Sequence, residues 1–332
     1  VYGFQARELK RLLDDKQSVE DQTDIAATWN TLTTFVHRQA RITDMVANGL
    51  PRAISEVIPE YGFHFERDKQ AKIAETDRFT LYRVAPTDKA VVPHPKAKPL
   101  MILPPYVLGS NILAFLPGEN KSYAHAFANQ GIPTYIRVMK PIAENEAVQT
   151  MSGEDDTLDT VAFCRHIYET HDRPVTLNGY CQGGFSALCN LLTGKLDGLV
   201  DALITCVSPM DGTRSEGLAY FLQSLPHRFN DLAYGVKRLP NGNTVADGAL
   251  MGWVYKLKSI ESEAPLSAYF RDLSIFSRAD AESMSVSKAA AALNYWLNYE
   301  RTDLPMAITH MSFACYNTPI SDDGILPVRL FN

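Results

Sequence analysis

The sequence predicts an α/β protein: an open, mostly parallel sheet with helices on both faces, a helical N-terminal region and a helical insertion over the ligand end of the sheet. Three observations predict it. Between residues 78 and 209, short apolar runs alternate with longer amphipathic stretches, which is the rhythm of strand–helix–strand units. The run at 100–103 is apolar throughout, as strands covered on both faces are. After Pro209 the alternation stops, and residues 210 to about 320 are rich in Tyr, Phe, Leu and Ser.

Taken in order, residues 1–75 read as helical. "LKRLLDDK" suits a short helix, and a longer one begins at an Asp24 N-cap, carries Ile25, Trp29, Leu32 and Val36 on one side, and stops at Gly49-Leu50-Pro51. The region is polar enough to be a face packed against something larger. Residues 76–209 form the first part of the sheet domain. "RFTLYRVAP" is a strand ended by its proline, and "LMILPPY" supplies a central strand. "NKSYAHAFANQG" is a helix closed by Gly131, and "IPTYIRVM" is the next strand. "DDTLDTVAFCRHIYETH" is a helix with acids in its first turn and His166 and His171 near its end, as the helix dipole prefers. "PVTLNGY", "FSALCNLLTG" and "VDALITCVSP" complete the series as strand, helix and strand. Residues 210–320 read as a helical cap, with patches at "SEGLAYFLQSL" and "VSKAAAALNYWLNYE", and 321–332 begin a return to the core.

Between a predicted strand and a predicted helix stands Gly179-Tyr180-Cys181-Gln182-Gly183. This is the G-x-C-x-G form of the nucleophile elbow, the sharp turn that presents the nucleophile of α/β-hydrolase-type sheets. A residue held in strained backbone there needs neighbours without side chains, which explains Gly179 and Gly183. Cys181 at a helix start is expected to gain thiolate character from free N–H groups. The Gln182 N–H is the first candidate oxyanion donor, and the backbone at Tyr106 and Val107, in the loop after an earlier strand, is the second. A turn stiffened by Pro104 and Pro105 explains that loop equally well. The alternative for Cys181, a packed core cysteine, does not account for glycine on both sides. Cys164, Cys189, Cys206 and Cys315 read as core residues.

The totals narrow the function classes. A net charge of −6 over 332 residues gives no electrostatic reason to expect nucleic acid, and no apolar run is long enough to span a bilayer. Five cysteines without a C-x-x-C pair suggest neither a disulfide framework nor a zinc site, which fits a cytoplasmic location. The chain starts at Val1 rather than Met, which suggests a fragment. Lys121, Arg137 and Lys140 lie in the sheet half and could meet the phosphates of an anionic substrate, but solvated surface charge explains them at least as well.

Beyond "GYCQGG", the segments "PLMILPPY", "FLPGENKSYAHAFANQGIPTYIRVMKP", "EDDTLDTV" and "LNYWLN" resemble polyhydroxyalkanoate synthases, over roughly residues 78 to 332. The resemblance implies an acyltransferase that polymerises 3-hydroxyacyl-CoA, with Cys181 holding the polyester chain as a thioester. It implies a catalytic Asp and His after the cap, no metal and no redox cofactor, and a possible homodimer or partner subunit. The expected order is nucleophile, acid, base, and only "DDGILPVRLFN" follows the cap. The Asp and His are therefore expected beyond Asn332, and the C-terminal part of the hydrolase core is expected to be absent from this chain. His310 precedes Asp322 and Asp323, the wrong order for a triad, and reads as an ordinary surface or core histidine. An intracellular depolymerase or thioesterase of the same fold, and a scaffold with an incomplete triad, are the alternatives. The aromatic residues Tyr220, Phe221, Trp253, Tyr255, Tyr269, Phe270, Phe276, Tyr295 and Trp296 either shelter an acyl chain or form the cap's own core.

Overall fold

The structure is a computed structural model that describes residues 25–57, 71–94, 96–215, 235–251 and 286–331. The chain divides into two compact units, Val1–Pro59 with Ser259–Tyr295 and Glu60–Lys258 with Trp296–Asn332. "LKRLLDDK", the Asp24 cap, nearly all of "SEGLAYFLQSL" and the aromatic residues Tyr220, Phe221, Trp253, Tyr255, Tyr269, Phe270 and Phe276 lie outside the described residues.

In the first unit, α1 (Ile25–Asp44) runs into a five-residue π turn, Met45–Gly49, and helix resumes as α2 (Leu50–Val57). The expected stop at Gly49-Leu50-Pro51 does not occur. Pro51 comes directly after the π turn, and the helical run passes through it rather than ending before it. Trp29, Leu32 and Val36 are exposed, Trp29 by 62%.

The second unit is built on a six-stranded sheet. Its strands are β1 (Lys72–Glu75), β2 (Phe79–Val84), β3 (Leu100–Leu103), β4 (Thr134–Met139), β5 (Val175–Tyr180) and β6 (Val200–Cys206), in the spatial order β1-β2-β4-β3-β5-β6. β2 runs antiparallel to both β1 and β4, while β4, β3, β5 and β6 are parallel. This order, with strand–helix crossovers between the parallel strands, is an α/β-hydrolase-type sheet. β1 falls within the stretch expected to be helical. Its "KIAE" alternates too briefly for the sequence to betray a four-residue edge strand.

The connecting helices are α3 (Tyr123–Ala128), the short α4 (Glu146–Gln149), α5 (Gly153–His171) and α6 (Gln182–Leu192). Ser122 caps α3 by accepting from the His125 N–H. Ser152 and Asp155 form a reciprocal capping box that fixes where α5 begins. β3 is buried at all four positions. One apolar layer, including Met101, Leu103, Phe163, Ile167, Leu177 and Phe185, fills one side of the sheet. A second, including Leu100, Ile102, Ala124, Ala128 and Ile136, fills the other. At roughly 25 cal/mol per Å2 of apolar area removed from water, such layers dominate the stability of the fold.

The region after Pro209 is not purely helical. β7 (Val236–Arg238), β8 (Thr244–Ala246) and β9 (Leu304–Pro305) form a three-stranded antiparallel sheet. The β7–β8 hairpin turns at Pro240-Asn241-Gly242-Asn243, where Gly242 takes a φ of 93° and the Leu239 N–H donates to the Asn243 carbonyl at 2.8 Å. Helices α7 (Lys288–Tyr299) and α8 (Met306–Asn317) follow. Among the described residues, no helix is long and apolar enough to cross a membrane.

Candidate active site

β5 carries the chain to the end of the sheet, and α6 carries it away. Cys181 is the single residue between them, with φ 53° and ψ −124°. For a residue with a Cβ this backbone is costly, and it persists only where its surroundings enforce it. The enforcement is visible. The Cys181 N–H donates to the Cys206 carbonyl at 2.8 Å, and its own carbonyl accepts from the Gly184 N–H at 2.9 Å. A Cβ on Gly179 would lie 2.2 Å from the Gly184 Cα, and one on Gly183 would lie 2.1 Å from the Leu103 carbonyl oxygen. Neither position admits any side chain.

The neighbouring strand ends in a similar way. Val207, directly after β6, has φ 46°, a conformation that a β-branched residue adopts only under constraint. The next residue, Ser208, donates from Oγ to the Gly179 carbonyl at 3.2 Å. A Cβ on Gly184 would meet that Oγ at 1.9 Å. Two strained residues thus stand at the carboxyl ends of adjacent strands, where open α/β sheets bind ligands.

Cys181 is half-buried. Burial pushes its thiol above the ordinary cysteine value, and the Gln182 N–H, directed at the sulfur, offsets part of the rise. The net direction opposes the thiolate character expected from the helix start: losing water costs the anion more than one N–H returns. Burial pushes Cys164, Cys189 and Cys315 further, each up to about 12. Those three are buried, as expected, whereas Cys206 is only half-buried.

The loop after β3 packs directly on α6. Pro104 and Pro105 carry no N–H. The Val107 N–H is engaged by the Gln182 side-chain carbonyl Oε1 at 3.1 Å, while the Tyr106 N–H finds no acceptor among the described residues. Of the candidate donors, the Val107 N–H is thus occupied, the Gln182 N–H faces the Cys181 sulfur, and the Tyr106 N–H is without an acceptor among the described residues. On its far side, the loop walls a cavity of about 190 Å3 shared with Asn111, Glu300 and Thr302, which Cys181 does not line.

Beneath the elbow lies a charged network that the sequence reading missed. Asp156, on the first turn of α5, is fully buried and faces Arg137 on β4, its Oδ1 2.7 Å from a guanidinium nitrogen. Tyr106 donates its hydroxyl to Oδ1 at 2.6 Å. Ser186 donates to Oδ2 at 2.5 Å and Asn190 at 2.9 Å. Arg137 also donates to Thr160 Oγ1 at 2.7 Å and stacks its guanidinium carbon 4.1 Å from the Phe79 ring centroid. Burial, reinforced by the Asp156 charge, holds the Tyr106 phenol far above its usual ionisation range, so it remains a neutral donor. Arg137 is thus a core residue, not the solvated surface charge read from its residue type. The sequence did carry a signal: Asp156 shares its helical face with Thr160, Phe163, Cys164 and Ile167, all buried.

Among the described residues, no histidine is hydrogen-bonded to the Cys181 sulfur. His125 bonds to Ser122 Oγ at 2.7 Å and His171 to the Tyr135 hydroxyl at 2.7 Å, while His310 is exposed on α8. From the cap motif, Trp296 is buried and donates its indole N–H to the Leu108 carbonyl at 3.1 Å. It is used for packing on the loop that follows Tyr106 and Val107.

No protein-family model matches the chain, and no curated protein is similar enough in sequence to count as a match. Solved structures do resemble it. A Bacillus licheniformis lipase in its mature form is 18% identical over 59% of this chain and 70% of its own, with a TM-score of 0.32. Against the propeptide form, the chain spans 38% of the solved length. A brefeldin A esterase, described as a bacterial homologue of human hormone-sensitive lipase, is 16% identical over 76% of this chain and 82% of its own, with a TM-score of 0.33. A soluble variant of monoglyceride lipase from Saccharomyces cerevisiae is 10% identical over 63% and 67%, with a TM-score of 0.36. Likenesses this distant carry no statement about activity. The fold assignment stands on the strand order and the turn at Cys181.

Proposed function

We propose that this protein is a cysteine-nucleophile acyltransferase of the polyhydroxyalkanoate synthase type, acting on 3-hydroxyacyl-CoA. The observation that carries this reading is the left-handed backbone at Cys181 (φ 53°), between a parallel strand and a helix and flanked by glycines that no side chain can replace. A cysteine with only a packing role has no need of that conformation.

In the proposed reaction the Cys181 sulfur attacks the thioester carbonyl of the acyl-CoA. A carbon–sulfur bond to Cys181 forms, the bond to CoA breaks, and the CoA thiolate departs with the electron pair. The Gln182 and Tyr106 N–H groups take the negative charge that develops on the carbonyl oxygen. Exchange of one thioester for another is nearly isoenergetic, so the acyl group stays ready for transfer to the hydroxyl of the next unit. Burial raises the pKa of the Cys181 thiol, so the proposed reaction calls for a base to take its proton.

The test uses 3-hydroxybutyryl-CoA with the parent protein and Cys181→Ala, following free CoA thiol and the acyl product. Thiol release and oligoester from the parent, with neither from Cys181→Ala, is the expected result. Free hydroxy acid without oligomer would show water as the acceptor and make the protein a thioesterase. Equal thiol release from both proteins would remove Cys181 from the chemistry.

A further inference from the structure

The network beneath Cys181 joins the two halves of the candidate oxyanion site at one carboxylate. Tyr106, whose backbone N–H is one open donor, hangs from Asp156 Oδ1 by its hydroxyl at 2.6 Å. Ser186, one turn along the helix that begins with the other donor, Gln182, is held by Oδ2 of the same carboxylate at 2.5 Å. The halves meet twice more: through Gln182 Oε1 on the Val107 N–H, and where Gly183 presses on the Leu103 carbonyl.

Stability alone does not explain a charge here. Taking a carboxylate and a guanidinium out of water costs several kcal/mol per ion, and apolar residues of similar volume often serve stability as well or better. What an apolar core lacks is direction. Four donors on one carboxylate fix the rotamers of Tyr106, Ser186, Asn190 and Arg137 together.

We infer that Asp156, neutralised by Arg137, is a positioning residue that sets the Tyr106 loop and the elbow helix in register, so that the Tyr106 and Gln182 N–H groups point at the same developing oxyanion. The inference rests on the acyl chemistry proposed for Cys181. It predicts that the network matters for reactions that build charge on a carbonyl oxygen and not for reactions that use the sulfur alone.

Two reagents separate these cases. With p-nitrophenyl butyrate, the thiolate attacks the carbonyl carbon after its proton passes to buffer. The new carbon–sulfur bond replaces the carbon–oxygen bond, and p-nitrophenolate leaves with the electron pair through an oxyanion. With iodoacetamide, the thiolate displaces iodide and no oxyanion forms. Asp156→Ala would strand Arg137 and endanger folding, so the variants are Tyr106→Phe, which removes the hydroxyl that donates to Asp156 and accepts from Arg137, and Ser186→Ala, which removes the hydroxyl that donates to Oδ2. Both are expected to slow acylation of Cys181 about 10- to 100-fold while alkylation stays within about twofold of the parent, the penalty typical of a displaced catalytic geometry. Acylation at the parental rate, or acylation and alkylation slowed in equal measure, would overturn the inference while leaving Cys181 as the nucleophile. A parent protein that p-nitrophenyl butyrate does not acylate at Cys181 would overturn the acyl reading itself, and the inference with it.

Discussion

Replacing Arg137 with methionine tests how the interior beneath Cys181 is held. Arg137 and Asp156 are 1% and 0% exposed at their side chains, with a nitrogen–oxygen distance of 2.7 Å. Lys98 and Asp201 approach as closely, at 2.6 Å, but with side chains 44% and 43% exposed. Distance is therefore matched and burial is not. Removing Arg137 strands a carboxylate with no access to water, at an expected cost of about 3–5 kcal/mol. Removing Lys98 leaves Asp201 solvated, at a cost of about 0–1 kcal/mol. Urea unfolding of Arg137→Met and Lys98→Met, read as shifts in midpoint at constant slope, measures both. Adding Asp156→Asn to Arg137→Met should recover part of the loss, because the stranded charge is gone. If the two single variants lost equal stability, or Arg137→Met lost less than about 1 kcal/mol, the buried pair would not carry the weight given to it here.

Two further outcomes follow from the same geometry. Gly183→Ala drives a Cβ to 2.1 Å from the Leu103 carbonyl oxygen, whereas Gly118→Ala meets nothing within 4 Å. The first should abolish acylation of Cys181 or unfold the protein, and the second should change stability by less than about 0.5 kcal/mol in the same urea assay. Alkylation by iodoacetamide, mapped by peptide mass, should reach the half-buried Cys181 and Cys206 before the buried Cys164, Cys189 and Cys315. Because burial raises the Cys181 value, its thiolate fraction at neutral pH is below that of a free cysteine. Its alkylation rate should therefore keep rising at pH values where a free thiol has levelled off. Levelling at the same pH as free cysteine would contradict the raised value.

The sheet was legible because its signals are local and strong. Each βαβ step alternates a short apolar run with a helix, two of them side-chain capped, and the glycines around Cys181 mark a turn that sterics allow in few other ways. The network was not legible, because Asp156 reads like its neighbours Asp155 and Asp159. Only its registry with Thr160, Phe163 and Cys164 sets it apart, and an acid at a helix start already has an explanation in the helix dipole. Arg137 was hidden for the complementary reason: in a strand of period two it alternates with Ile136 and Val138, as a solvent-facing residue would. Asn241-Gly242 is a plain hairpin signal, overlooked because the flanking strands are three residues long and largely polar.

The most direct measurement is the mass of the protein after brief exposure to p-nitrophenyl butyrate at mildly alkaline pH, followed by peptide mapping of any adduct. A single butyryl group on Cys181, absent from Cys181→Ala, is the expected result. An unmodified Cys181, or butyryl groups spread over lysines and other cysteines at comparable levels, would contradict it.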